Sequence, residues 1–203
     1  DSSQDSILDF LKDAEVVGLS YLTSQADFAY QLSSRIKNVF PNIILVHGGV
    51  HPTCMWEEVV NYADYCVLGE GEVTFSQLLN AIEERKEPNQ INGLCFKKDG
   101  FIVKTDPRDF ISDVDSIPFP ARDLLSLKEY KAHSIHVTSG QAIGIMASRG
   151  CPFNCSFCAS SNIWKQKVRF RTPENITKEI KEIIANHGIN KFHFYDDNFL
   201  LNR

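Results

Sequence analysis

Apolar residues along this chain fall alternately into short runs and helical stripes. Residues 14–20 (Ala-Glu-Val-Val-Gly-Leu-Ser) are apolar, β-branched and closed by small residues, which predicts a short buried strand. Phe28, Leu32, Ile36 and Val39 then recur at helical spacing until Pro41 ends the helix. Ile43 to Val46 predicts a second buried strand closing on Gly48-Gly49, with a helix after it over residues 54–62. Tyr65 to Leu68 reads as a third strand and runs into the turn Gly69-Glu70-Gly71-Glu72. Phe75, Leu78, Leu79 and Ile82 mark the next amphipathic helix. Strands alternating with helices in this way predict a parallel sheet covered on both faces.

The pattern changes after Pro88. Residues 93–97 and 101–105 flank Asp99-Gly100, a strong hairpin signal. Residues 106–130 carry Pro107, Pro118 and Pro120 among scattered charges and read as an ordered linker, where the domain boundary is placed. From Ile143 the strand–turn pattern resumes. Thr172 is a helix cap with Pro173 at the first helical position. Ile176, Ile180, Ile183 and Ile184 form the buried stripe, and Gly188 stops the helix. Phe192 and Phe194 alternate with His193 and Tyr195 in a last strand that ends at Asp196-Asp197. There is no internal repeat and no low-complexity tract.

The 203 residues are 43% hydrophobic and carry a formal charge of −5. That is ample for a buried core. It argues against a nucleic-acid surface, which would cluster Lys and Arg. No run of about eighteen apolar residues spans a membrane, and no secretory leader is evident. Six cysteines fit a reducing compartment, so the cytoplasm is the expected location. The chain opens at Asp1 without Met, and only about 45 residues follow the last dense cysteine cluster, fewer than a barrel of strand–helix units needs. It is expected to be a piece of a longer protein, inactive by itself.

Cys151, Cys155 and Cys158 form a C-x₃-C-x₂-C run within Ser148-Arg149-Gly150-Cys151-Pro152-Phe153-Asn154-Cys155-Ser156-Phe157-Cys158. Iron–sulfur clusters are built on Cys thiolates, usually four, and three would leave one iron open to a ligand that is not protein. Structural zinc favours four closed ligands from paired knuckles, and no second pair follows. An odd trio does not make a disulfide framework. The cluster is the favoured reading, with zinc or unpaired core cysteines as the alternatives. The loop, with Phe157 just before its last Cys, resembles the signature of radical S-adenosylmethionine (SAM) enzymes. That resemblance implies a 4Fe-4S cluster on the three cysteines, with SAM chelating the open iron and cleaved to a 5′-deoxyadenosyl radical. It also implies that Phe157 lies near the adenine, where the plainer reading is simple loop packing.

In an open parallel sheet, ligands bind at the carboxyl ends of the strands. Three such ends are small and polar here: Ser20 with Thr23, His47-Gly48-Gly49, and Gly69-Glu70-Gly71-Glu72. Glycine lets backbone approach a ligand closely, although strand-to-helix turns favour it anyway. Gly48-Gly49-Val50-His51-Pro52-Thr53 and Gly69-Glu70-Gly71-Glu72-Val73-Thr74-Phe75 resemble the cobalamin-binding domain found upstream of the radical SAM core in one large subfamily. By that resemblance Gly48, Gly49, Gly69, Glu70 and Gly71 contact the nucleotide tail of the corrinoid, and Ser20, at the neighbouring strand end, is a further candidate for cofactor binding. Ile117-Pro118-Phe119-Pro120-Ala121-Arg122 is similar to the subfamily's inter-domain segment, and Val168-Arg169-Phe170-Arg171-Thr172-Pro173-Glu174 to its run into the first barrel helix. The Asp-x-His-x-x-Gly loop of base-off cobalamin domains is not in the sequence. His47 and His51 read as hydrogen-bonded structural groups rather than cobalt ligands.

Asp196-Asp197 stands where radical SAM enzymes carry polar groups facing the SAM amino group, and a carboxylate would serve an ammonium. The alternative is a helix N-cap. Cys54, Cys66 and Cys95 lie in or beside apolar segments and read as small buried hydrophobes. The methylthiotransferase branch draws a second cluster's ligands from its N-terminal domain, so it fits poorly. The expected architecture is α/β: a partial Rossmann-like cobalamin-binding domain over 1–88, a hairpin and linker over 89–136, and the start of a radical SAM partial (β/α) barrel over 137–203. The resemblance implies a small-molecule substrate, an electron donor such as flavodoxin or ferredoxin, and methyl transfer to an unactivated centre, or else cyclisation or rearrangement. The alternatives are a non-catalytic corrinoid-binding or iron–sulfur electron-transfer module, or a radical SAM enzyme whose corrinoid domain is degenerate.

Overall fold

The β-branched run Val16–Ser20 (β1) pairs in parallel with Ile44–Gly48 (β2), and β2 pairs in parallel with Tyr65–Val67 (β3). In the register, Ser20 sits beside Gly48 and His47 beside Cys66. The computed structural model describes residues 2–127 and 141–201, so the end of the expected linker and residues 137–140 lie outside the described residues. It divides into two units, Asp1–Phe110 and Ile111–Arg203.

In the first unit a helix that the apolar pattern had not announced, Ser2–Phe10 (α1), precedes β1. Ala26–Val39 (α2) covers one face of the sheet, where Val17, Leu32, Ile36 and Leu45 pack together. Its stripe is rotated from the expected one. Phe28 and Val39 are about half exposed, whereas Ala26, Ala29, Tyr30 and Ser33 are buried. Small side chains at Ala26 and Ala29 let the helix lie close, and Tyr30 fills the space that Phe28 was expected to take. The helix expected over 54–62 is two short ones, Val50–Cys54 (α3) and Trp56–Val59 (α4), broken at Met55 (φ −119°, ψ 33°). Gly71–Glu83 (α5) covers the other face through Leu78 on Val46, Val67, Leu94 and Phe96.

The hairpin Leu94–Lys98 (β4) and Phe101–Lys104 (β5) joins the same sheet, β4 running antiparallel to β3 with Cys95 opposite Cys66. Asp99 and Gly100 both take positive φ (51° and 82°), the geometry that a two-residue hairpin turn with right-handed strand twist requires.

In the second unit Ile143–Ile145 (β6) pairs in parallel with Phe192–Phe194 (β9). Pro173–His187 (α7) connects them across a core of Ile143, Ile145, Ile183 and Ile189. Thr172 caps α7 by accepting from the Asn175 N–H at 3.2 Å, Pro173 opens the helix, and Gly188 closes it at φ +69°. Ile184 is 45% exposed, against expectation, and Glu179 is buried in the helix instead. The cause is ionic. Arg122 and Arg171 each reach one Glu179 carboxylate oxygen at 2.6 Å. Ser148–Arg149 (β7) and Arg169–Phe170 (β8) form a short antiparallel pair, and Ser160–Trp164 (α6) lies between them in the chain. Among the described residues no helix is long and apolar enough to cross a membrane.

Candidate functional site

The cysteine loop leaves β7 through Gly150, which sits at φ +98° with a would-be Cβ overlapping the Lys167 carbonyl. Only glycine lets the backbone pass there. The loop then turns on itself, the Cys158 N–H donating to the Cys155 carbonyl at 3.0 Å. Cys155 and Cys158 are exposed, Cys151 is half-buried, and all three are free thiols. Phe157 between them is 90% exposed. Among the described residues no three His, Cys, Asp or Glu side chains are gathered as a metal-binding group, so the thiols share the loop without converging.

Both carboxylates at the end of β9 turn toward this loop's supports. Asp196 Oδ1 accepts from Ser148 Oγ at 2.5 Å, and its Oδ2 accepts from the Ala147 N–H at 3.1 Å. Asp197 Oδ2 accepts from Ser160 Oγ at 2.8 Å. Neither caps a following helix among the described residues.

A separate cleft of about 460 Å³ opens at the carboxyl ends of β1, β2 and β3. Ser20, Gly48, Gly49, Gly69 and Gly71 line it. Glu70 does not. Its extended backbone (φ −73°, ψ 120°) alternates the turn, so Gly69 and Gly71 meet the cleft while the Glu70 side chain is buried off its wall. Gly49 is constrained twice: φ is +94°, and a Cβ would stand 2.8 Å from Ser20 Oγ. Gly48 and Gly71 are different, since a Cβ would make only ordinary contact with Val67 (3.8 and 3.5 Å) and further atoms would enter the cleft. Thr53 ties the two glycine turns together, donating to the Gly49 carbonyl at 2.7 Å and accepting from the Gly69 N–H at 3.0 Å. Sequence reasoning missed Gly18 and Phe75 on the wall, and Thr53 behind it. Glycine inside a strand is itself a sign of close approach, so Gly18 was findable.

On the α2 face, the side chain before these glycines is fully buried in a polar chain. Ser33 Oγ donates to the Ala29 carbonyl at 2.7 Å, so it must accept from His47 Nε2–H at 2.9 Å. His47 Nδ1 therefore accepts from Tyr21 O–H, also at 2.9 Å. Burial lowers the His47 pKa to about 4 against a smaller opposing pull from Asp64, so the ring is neutral. His51 is held likewise by Tyr30 Oη at 2.8 Å and Thr23 Oγ1 at 3.1 Å, and burial pushes Tyr30 up to about 12. Both histidines are structural, as the sequence suggested. Cys66 and Cys95 are fully buried, and burial raises both thiols, Cys66 to about 12. Cys54 is exposed and corrects the expectation of a buried hydrophobe: α3 ends there, leaving the side chain at the break before α4.

Residues 1–79 match the family model for the B12 binding domain, and residues 145–203 match that of the radical SAM superfamily. An uncharacterized methyltransferase of Pyrococcus horikoshii is 37% identical over 195 residues, covering 94% of this chain and 41% of that protein. The anaerobic magnesium-protoporphyrin IX monomethyl ester cyclase of a Synechocystis species is 31% identical over 191 residues, covering 93% of this chain and 37% of its own. The solved radical SAM methyltransferase TsrM of Kitasatospora setae shares the fold (TM-score 0.73, 19% identity) over 99% of this chain and 40% of that one. The chain thus spans about two-fifths of the curated relatives it matches.

Proposed function

The chain belongs to the radical SAM proteins that carry a B12-binding domain, and from that premise we propose that the protein it forms part of is a cobalamin-dependent radical SAM enzyme. The observation that carries the reading is the donor set of the loop: three free thiols, two of them exposed, within eight residues (Cys151 to Cys158) that start from a glycine-pinned strand end. Such a set suits an iron–sulfur cluster with one iron left for a small ligand. Cys151, Cys155 and Cys158 would hold the metal. Phe157, standing free of the loop, offers a ring face to the adenine of SAM. Asp196 or Asp197 would accept from its amino group, a charge-assisted bond. In the other unit the cleft is a cradle that side chains at Gly48 or Gly71 would fill, which suits a corrinoid's nucleotide tail against Ser20, Gly48, Gly49, Gly69 and Gly71. Glu70 would act only through the shape of its turn. When bound, these groups supply one-electron cleavage of SAM and a methyl carrier; the protein binds, orients and shields them.

Methyl transfer to an unactivated centre of a small molecule is the reaction we favour, since one relative is named a methyltransferase; the cyclase relative keeps cyclisation as the second reading. A flavodoxin or ferredoxin would supply the electron, in the cytoplasm. The test is anaerobic reconstitution of the full-length protein, with iron and corrinoid measured on one sample. Wild type should take about four irons per chain. Cys155→Ala should take almost none and Cys66→Ala nearly the full amount, while Gly48→Val should keep its iron and lose cobalamin. Equal iron in Cys155→Ala and wild type would overturn the assignment of the loop. Equal cobalamin in Gly48→Val and wild type would leave the glycine cleft as scaffold.

A further inference from the structure

Asp196 and Asp197 are consecutive residues at one strand end, yet they grip opposite ends of the cysteine loop. Asp196 holds Ala147 and Ser148, the latter three residues before Cys151; Asp197 holds Ser160, two residues after Cys158. The strand that delivers them is itself fixed: Tyr195 N–H donates to the Ile145 carbonyl at 2.9 Å, extending the β6–β9 pairing up to the carboxylates. We propose that the Asp196-Asp197 pair is a positioning clamp, which fixes the loop's entry and exit onto the end of β9 before any metal arrives, so that metal binding has only the segment between them left to order. The clamp builds on the cluster reading above for its purpose, but its geometry stands without it.

The physical case rests on what the loop otherwise lacks. Cys155, Cys158 and Phe157 are exposed, and the backbone between the cysteines shows one internal hydrogen bond, from Cys158 to Cys155. A loop with few buried contacts samples many arrangements, and each metal-binding event must then freeze them. Tying both ends to a rigid strand removes much of that cost in advance. Carboxylates suit the task because bonds to an ionised acceptor are stronger than neutral ones. Asp196 follows the paired strand and Asp197 begins the bend after it, and from there one dipeptide reaches both the entry and the exit of the loop. Each Asp196 oxygen already accepts one bond and keeps a further acceptor site, so positioning the loop and contacting SAM are compatible roles.

The test uses the full-length protein in metal-free and reconstituted forms, with Asp196→Ala, Asp196→Asn, Ser148→Ala and Ser160→Ala. In the metal-free protein the readout is the alkylation rate of half-buried Cys151 by iodoacetamide. Asp196→Ala and Ser148→Ala should speed it about tenfold, the scale of one lost bond to a charged group. Asp196→Asn should fall between wild type and Asp196→Ala, since its amide can keep a bond to the Ala147 N–H and one to Ser148 Oγ but loses the charge. In the reconstituted protein the half-life of iron against a chelator should shorten in the same order, with Ser160→Ala also affected. Wild-type alkylation rates in Asp196→Ala and Ser148→Ala would overturn the clamp, whether or not the protein takes iron. A residue serving only the SAM ammonium would give another pattern: Asn and Ala equally impaired in SAM binding, Ser148→Ala silent, and cluster lifetime unchanged. Failure of wild type to take iron would sink the cluster reading alone, because the metal-free alkylation still decides the clamp.

Discussion

His47 reads from the sequence as a hydrogen-bonded structural group, and the fold holds it in a buried polar chain. It stands beside two cleft-lining glycines, but its ring faces α2, donating to Ser33 and accepting from Tyr21. Asp196 differs: its position suggests cofactor contact, and its oxygens also hold the strand leading to the loop. Burial type is readable from sequence for Cys66 and Cys95, which sit inside apolar runs. It is not readable for Cys54, because the break at Met55 has no Gly or Pro to announce it. The neutral state of His47 yields a pH prediction. Its folded pKa, about 4, lies below the ordinary 6.5, so between these values the unfolded chain binds more protons than the folded one. Its contribution is therefore complete above pH 6.5 and is lost as pH falls through the window toward 4. The loss should reach about 3 kcal/mol at pH 4. Urea unfolding at pH 7 and pH 4 should show this loss in wild type and a smaller one in His47→Gln, which can keep both hydrogen bonds. An identical pH dependence in the two proteins would show that the ring is not held neutral by burial.

At the scale of elements, legibility followed local chemistry. Thr172, Pro173 and Gly188 bound α7 as their cap, entry and stop roles require, and Asp99-Gly100 makes the hairpin turn. These devices act within a few residues and leave their mark in sequence. The β7–β8 pair is only two residues a strand and has no periodicity to detect. Glu179 defeats pattern reading for another reason: it occupies a buried helical position by virtue of partners far away in the chain, Arg122 and Arg171. The same residues explain why the Pro-Phe-Pro-Ala-Arg and Arg-Phe-Arg-Thr-Pro segments are ordered. Asp115 adds to this, accepting from the Thr172 hydroxyl at 2.6 Å and from its N–H at 3.0 Å. Glu179→Ala leaves two guanidinium groups buried without their shared carboxylate and should cost the second unit about 3 kcal/mol or more. Hydrogen exchange at Ile143 and Ile183 should accelerate accordingly, while Leu45 and Val46 in the other unit keep their protection. Uniform acceleration at all four would mean that the two units do not open independently.

At the scale of the whole molecule, two kinds of site share one chain: a glycine-lined cleft at a parallel sheet's carboxyl edge, and a cysteine loop beside a single β–α–β unit. Fold class was legible, since strand–helix alternation is a property of sequence alone, and so was the clustering of three cysteines in one loop and of glycines at the strand ends. The supporting contacts were not, because Thr53, Asp197 and Ser160 meet their partners only once the strands are registered. The central claim is that three thiolates leave one iron open for SAM. Electron paramagnetic resonance of the reduced, reconstituted full-length protein tests it most directly, recorded with and without saturating SAM. The account predicts that SAM shifts the cluster signal, because its amino and carboxylate groups enter the coordination of an iron that carries no cysteine. A signal unchanged by SAM would contradict the account.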